Sequence, residues 1–202
     1  MRYTGPKVRK ARRFGFAFTE KDTRILPKRG FAPGQHGQSR GRLSEYALQL
    51  REKQKCKILY GILEKQFYKY FSVAQNQPGV TGDNLIKILE KRLDNIIFRM
   101  GFATTRAQSR QLVNHGFFTV NGKNVDIPSY MVKVGDIIAI KSNKQSSKYI
   151  TLAKEKLKSS RTQDWLDLDS QKLVGKVLSE PTPEQVGNQI SLQLIVEHYS
   201  RI

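Results

Sequence analysis

Between positions 106 and 114 the chain carries Arg106, Arg110, Gln111 and Asn114, with Leu112 and Val113 among them. At ~100° per residue on a helix, Arg106, Ala107, Arg110, Gln111 and Asn114 share one arc, while Leu112 lies on the opposite side and Val113 just outside the arc. An arginine fork bonds phosphate bidentately, and Asn or Gln reaches sugars and base edges. Duplex RNA hides its deep groove, so such a face would read phosphates, ribose hydroxyls and shape. An ordinary solvated helix can show the same spacing. His115 follows directly, and an Asn121-Gly122-Lys123 turn would bring another cation beside the face. A second concentration lies earlier. Lys7, Arg9, Lys10, Arg12 and Arg13 fall within seven residues, and no acid precedes Glu20. Like charges so dense repel one another, and a polyanion relieves them.

Other chemistry finds little support. Cys56 is the single cysteine, which excludes an internal disulfide and any multi-cysteine zinc site. His36, His115 and His198 are far apart and lack ligand partners at short spacing, so no metal or other cofactor is expected. His36 and His115 are read as hydrogen-bond donors to RNA or to local backbone. Ser, His and Asp occur only scattered, without a nucleophile elbow or a phosphate-binding glycine loop.

The elements that must hold these residues follow from pattern. The chain has 202 residues, 38% hydrophobic and 9% aromatic, which is enough for a core, and a formal net charge of +19. Residues 1–57 hold +12 of that excess, 58–91 hold +1, 92–155 hold +6 and 156–202 hold none. Residues 1–42, rich in Gly, Pro, Lys and Arg, read as a basic extended arm. Ser44 is an N-cap for a helical region in which Leu59, Ile62, Leu63, Phe67, Tyr70, Phe71 and Ala74 recur at helical spacing until Pro78-Gly79. Leu85, Leu89, Leu93, Ile96, Ile97 and Met100 mark another helix, stopped by Gly101.

Thr105 and Gln108 have capping-box spacing, and Gly116 suits the left-handed position beyond that helix. Strands are expected at 117–120, 131–134 and 137–141, with Asn121-Gly122 as a hairpin turn. Residues 144–161 read as partly helical, 165–168 and 176–178 as short strands, and 192–199 as a terminal helix. The fold class is α+β: a mainly helical domain with a basic arm, and an inserted small α/β module of two helices and a small antiparallel sheet. The longest aliphatic run, Ile137–Ile140, is far short of the ~20 residues of a membrane helix. No membrane partner is expected.

Ordered motifs give these patterns a family likeness. Arg92-Leu93-Asp94-Asn95, Gly101-Phe102-Ala103, the run from Arg106 to Val113, His115-Gly116, Val120-Asn121-Gly122 and Ile127-Pro128-Ser129-Tyr130 resemble the RNA-binding module of the small-subunit ribosomal protein four family. The likeness continues outside the module, through Arg2-Tyr3-Thr4-Gly5-Pro6, Pro33-Gly34-Gln35-His36-Gly37, Leu43-Ser44-Glu45-Tyr46 and Gln49 to Lys55. It also takes in Tyr60 to Phe67 and Leu194 to Glu197 with Tyr199-Ser200.

The resemblance implies a bacterial or organellar ribosomal protein that binds the 5′ domain of 16S rRNA early in small-subunit assembly. It implies an arm at 1–42, a helical domain at 43–91 completed by 156–202, and the module at 92–155. The residues it assigns to rRNA, together with the basic runs above, are Arg2, Lys7, Arg9, Lys10, Arg12, Arg13, Gln35, His36, Tyr46, Gln49, Arg51, Lys53, Gln54, Lys55, Arg92, Arg106, Arg110, Gln111, Asn114, His115, Asn121 and Lys123. Arg40 and Arg42 fall where the family directs basic residues toward incoming mRNA. Small-subunit protein five is the implied protein neighbour, small-subunit protein three stands near by, and no homo-oligomer is expected. The implied place is the ribosome, in a bacterial cytoplasm or an organelle stroma. Many family members bind zinc through N-terminal cysteines, which this chain lacks before Cys56.

Arg92-Leu93-Asp94 also resembles the catalytic tripeptide of pseudouridine synthases, which often carry the same module. In those enzymes the Asp lies in a separate domain downstream of the module. Here it lies directly before the module, and the 47 residues after position 155 are too few for such a domain. The chain is therefore read as a non-enzymatic rRNA-binding protein, with counterion release and shape matching as its mechanism.

Overall fold

The structure, a computed structural model, describes residues 5–39, 41–157, 162–182, 184 and 190–201. The fold divides into two compact units, one formed by residues 1–67 with 190–202 and the other by residues 68–189.

The first unit begins with two short helices, α1 (Lys7–Phe14) and α2 (Glu20–Ile25), where the composition pointed to an extended arm. Aromatic packing and one buried carboxylate account for the difference. Phe18 packs edge-on against both Phe14 and Phe16, at centroid distances of 6.2 and 5.0 Å. The buried Asp22 accepts hydrogen bonds from the Phe18 and Thr19 backbone N–H and from the Thr19 hydroxyl, which caps α2. Arg12 donates from Nε to the Phe31 carbonyl at 3.1 Å, with its guanidinium carbon 4.8 Å from that ring's centre.

α3 (Glu45–Leu59) starts at Ser44, whose hydroxyl accepts from the Ala47 N–H at 3.3 Å, as the sequence led one to expect. The helical pattern does not run unbroken to Pro78. Gly61, at φ +64°, separates α3 from α4 (Glu64–Gln75). The terminal helix α9 (Leu192–Ser200) packs along α3, with Cys56, Phe67, Ile195 and Tyr199 buried.

In the second unit α5 (Thr81–Glu90) and α6 (Leu93–Arg99) are two helices rather than one, parted at Lys91-Arg92. α7 (Arg106–Asn114) starts at Thr105, whose hydroxyl accepts from the Gln108 N–H at 3.2 Å. The reciprocal bond of the expected box is displaced by one residue, because Gln108 Oε1 accepts from the Thr104 N–H and hydroxyl. Gly116 leaves α7 at φ +64°.

Five antiparallel strands follow: β1 (Phe118–Val120), β2 (Lys123–Asn124), β3 (Ile137–Ile140), β4 (Leu166–Asp169) and β5 (Val174–Val177), in the order β2-β1-β3-β5-β4. Asn121 and Gly122 both have positive φ, +50° and +78°, which is the primed hairpin turn their types favour. A helix α8 (Lys148–Leu157) lies between β3 and β4 in the chain.

Two expectations change. The segment 131–134 forms no sheet strand. Met131 makes an isolated bridge to Arg92, and the Val132 N–H bonds the Lys91 carbonyl, so its backbone groups are spent on the α5–α6 junction. Residues 156–202 do not all join the helical part. β5 pairs with β3, through Ile138 opposite Gly175, which extends the module's sheet. One core then runs from α6 and α7 through every strand of the sheet except β2, one of its two edges, taking in Leu93, Ile97, Met100, Phe118, Ile138, Trp165 and Val177.

Candidate nucleic-acid interface

Within the second unit, α7 buries Ser109, Leu112 and Val113 and exposes Gln111 and Asn114, with His115 exposed beyond its end. Arg106 and Arg110 are half-buried on the outer arc. Each is tied to a side chain from α6. Arg106 donates from Nε to Asn95 Oδ1 at 2.8 Å, and its guanidinium carbon lies 4.4 Å from the centre of the Phe98 ring. Arg110 lies 3.8 Å from Asp94 Oδ2. The end of α7 abuts the hairpin, since a Cβ at Gly116 would stand 3.7 Å from Asn124 Oδ1. Lys123 and Asn121 are exposed on that hairpin. Asn121 is also structural. Its Oδ1 accepts from the Ile137 N–H at 2.9 Å and its Nδ2 donates to Asp136 at 2.8 Å.

Arg92 does not stand on this surface. It is 2% exposed, donates from Nε and a terminal amino group to both Asp94 oxygens at 3.1 and 2.8 Å, and bonds the Tyr70 hydroxyl at 2.6 Å. Burial alone would ease loss of its proton, but the adjoining Asp94 carboxylate outweighs that and holds the guanidinium more firmly charged. Its place is therefore the interior, where it fixes Asp94 beneath Arg110. The same pairing answers the enzymatic alternative at Asp94. That carboxylate is 5% exposed and clasped on both oxygens, the setting of a structural anchor rather than an accessible nucleophile.

In the first unit, Lys7, Arg9 and Arg13 are exposed along α1, and Gln35, His36, Arg42 and Tyr46 are exposed farther on. Arg2 and Arg40 lie outside the described residues. Lys10 is half-buried near Lys57, and burial first, then that cation, lowers its pKa. Arg51, Gln54 and Lys55 are half-buried. The Lys55 ammonium bonds Glu52 and stands 5.2 Å from the Phe16 ring centre. Gln49 and Lys53 are buried instead, because α9 covers their face of α3. Gln49 Nε2 donates to Glu197 at 3.0 Å, and Lys53 donates to Glu64 at 2.7 Å. Arg12, clamped on Phe31, likewise serves the arm's own fold.

Sequence reasoning overlooked Glu90, Asn95 and Phe98 as parts of this region. The only signal was Asn95 in the quoted Arg92-Leu93-Asp94-Asn95 motif, and nothing in spacing tied it to Arg106, eleven residues on. Among the described residues no group of three or more His, Cys, Asp or Glu could hold a metal ion, and no helix is long and apolar enough to cross a membrane.

These features define a class: an α+β protein that pairs a helical basic unit with a small RNA-binding module. Two family models match it, the ribosomal protein S4/S9 N-terminal domain over residues 2–90 and the S4 domain over residues 91–138. The chain is similar over 99% of each length to small ribosomal subunit protein uS4 of Acetivibrio thermocellus, at 50% identity, and to uS4A of Alkaliphilus oremlandii, at 51%. It is also similar to the Chloroflexus aurantiacus uS4, at 50% identity over 204 residues and 99% of each length. The chain belongs to the small ribosomal subunit protein uS4 family, a family of ribosomal structural proteins and not of enzymes.

Proposed function

We propose that this protein is a structural constituent of the small ribosomal subunit that binds the 5′ domain of 16S rRNA and helps nucleate assembly of the subunit. The observation that carries the reading is the outer face of α7, where Arg106 and Arg110 are each tied to α6 beside the exposed Gln111 and Asn114. A face so built suits the wide, shallow groove and phosphates of duplex RNA. The exposed cations of α1 would add phosphate neutralisation and Lys123 a further contact, with Arg42 facing the path of mRNA. Small-subunit protein five, with protein three near by, is the proposed protein neighbourhood, and the protein acts there as a single copy.

The test is binding of a folded 5′-domain RNA by Arg106→Ala/Arg110→Ala. Binding is expected to weaken at least tenfold, on the scale of about 1.5–3 kcal/mol for a hydrogen bond to a charged group. The melting temperature should stay close to that of the parent. Unaltered affinity would remove the α7 face from the site.

A further inference from the structure

Arg106 is held by more than its own helix. Glu90 is wholly buried at the end of α5, and Arg99 clasps it with Nε to Oε2 at 2.9 Å and a terminal amino group to Oε1 at 2.8 Å. The Asn95 amide nitrogen donates to Glu90 Oε2 at 2.7 Å and to the Glu90 backbone carbonyl at 3.2 Å. Both of those groups are acceptors only, so the amide has a single workable orientation. Its oxygen then faces outward and accepts from Arg106 Nε at 2.8 Å. Phe98, three residues along the same face of α6, puts its ring beneath the guanidinium at 4.4 Å.

We propose, building on the RNA-binding reading above, that Asn95 and Phe98 are positioning residues that hold the Arg106 guanidinium ready for a phosphate of duplex RNA. The buried Glu90–Arg99 pair is the fixed anchor of that arrangement. A free arginine surrenders much rotamer freedom when it docks on phosphate. One fixed at Nε and along one ring face has surrendered part of it before the RNA arrives, and preorganisation of this kind raises affinity without adding a contact. An amide is required at position 95, since a carboxylate there would confront Glu90. Neither Asn95 nor Phe98 needs to touch RNA.

The experiment measures the affinity of the full chain for a 5′-domain RNA across a salt series, with thermal melting alongside. It compares Asn95→Ala, Phe98→Leu, Arg106→Ala and the two double variants that include Arg106→Ala. Each of the first two should bind roughly 3- to 10-fold more weakly, with the salt slope unchanged because the charge remains. Arg106→Ala should bind more weakly still and lose about 0.7 to 0.9 from the slope. In the Arg106→Ala background, neither Asn95→Ala nor Phe98→Leu should cost anything further.

A penalty that persists in that background means that Asn95 and Phe98 act elsewhere, and overturns the inference. So does parental affinity in Asn95→Ala and Phe98→Leu when Arg106→Ala is impaired. Parental binding by Arg106→Ala itself would take Arg106 out of the RNA contact and overturn this inference, while the Arg106→Ala/Arg110→Ala variant still decides the RNA-face reading. Should Asn95→Ala fail to fold, Phe98→Leu, which keeps an apolar side chain, carries the same cycle.

Discussion

Glu64 shows how one residue gathers three helices. Its carboxylate accepts from Lys53 at 2.7 Å and Lys57 at 2.8 Å, both on α3, and from the Tyr199 hydroxyl of α9 at 3.0 Å. Partial burial works to raise its pKa, but these hydrogen bonds prevail and hold it at about 2 against an ordinary 4.5. A carboxylate with a depressed pKa contributes stability that is complete above the unfolded value and is lost as pH falls toward the folded one. The parent chain should therefore lose stability between about pH 4.5 and pH 2. Glu64→Gln should be less stable at neutral pH and show a flatter acid limb in denaturant melts. Parallel acid limbs would show that Glu64 does not contribute to it. Spacing could not reveal this knot, because its three partners lie 7, 11 and 135 residues from Glu64. For the same reason Gln49, Lys53 and Arg92 read as surface donors in the sequence. Which polar groups are buried depends on what packs over them.

At the scale of elements, β5 can reach the module's sheet because Gly175 has no side chain. An added Cβ there would stand 2.6 Å from both Sδ and Cε of Met100, which is fully buried beyond the end of α6. Gly175→Ala should cost about 1–3 kcal/mol through overpacking of a filled core. Met100→Leu, with no atom as far from its Cα as Cε, should recover part of that cost in a denaturant double-mutant cycle. Strict additivity of the two changes would refute the steric account. The hairpin and the caps were legible because they are local. Asn121-Gly122, Ser44, Thr105 and Gly116 each act within a few residues. The break at Lys91-Arg92, and the enlistment of β4 and β5 by the module, required contacts distant in sequence.

For the whole molecule the charge excess divides between surface and structure. Lys7, Arg9 and Arg13 are exposed on α1, whereas Arg12, Lys53 and Arg92 are engaged within the fold. The triple change Lys7→Ala, Arg9→Ala, Arg13→Ala should lower the log–log salt slope of RNA binding by roughly 2 to 3, at about 0.7–0.9 per phosphate released. Little loss of stability is expected, since these side chains face solvent. An unchanged slope would mean that the cations of α1 do not meet RNA. Changing these three side chains is a cleaner test than deleting the arm, because α1 and α2 bury Ala11 and Asp22.

The sequence by itself determined the class of the protein: its α+β character, its uneven +19 charge, its caps and hairpin turn, and ordered motifs from residue 2 to residue 200. Such features depend on residue type and short spacing, which a linear chain displays directly. Only the tertiary structure decided which cations face outward and which are spent inside. It alone tied Arg106 to Asn95 and Phe98, and Arg110 to Asp94. The reason is physical. A buried charge must be paired where it lies, and the partner that pairs it is chosen by packing in space rather than by order along the chain.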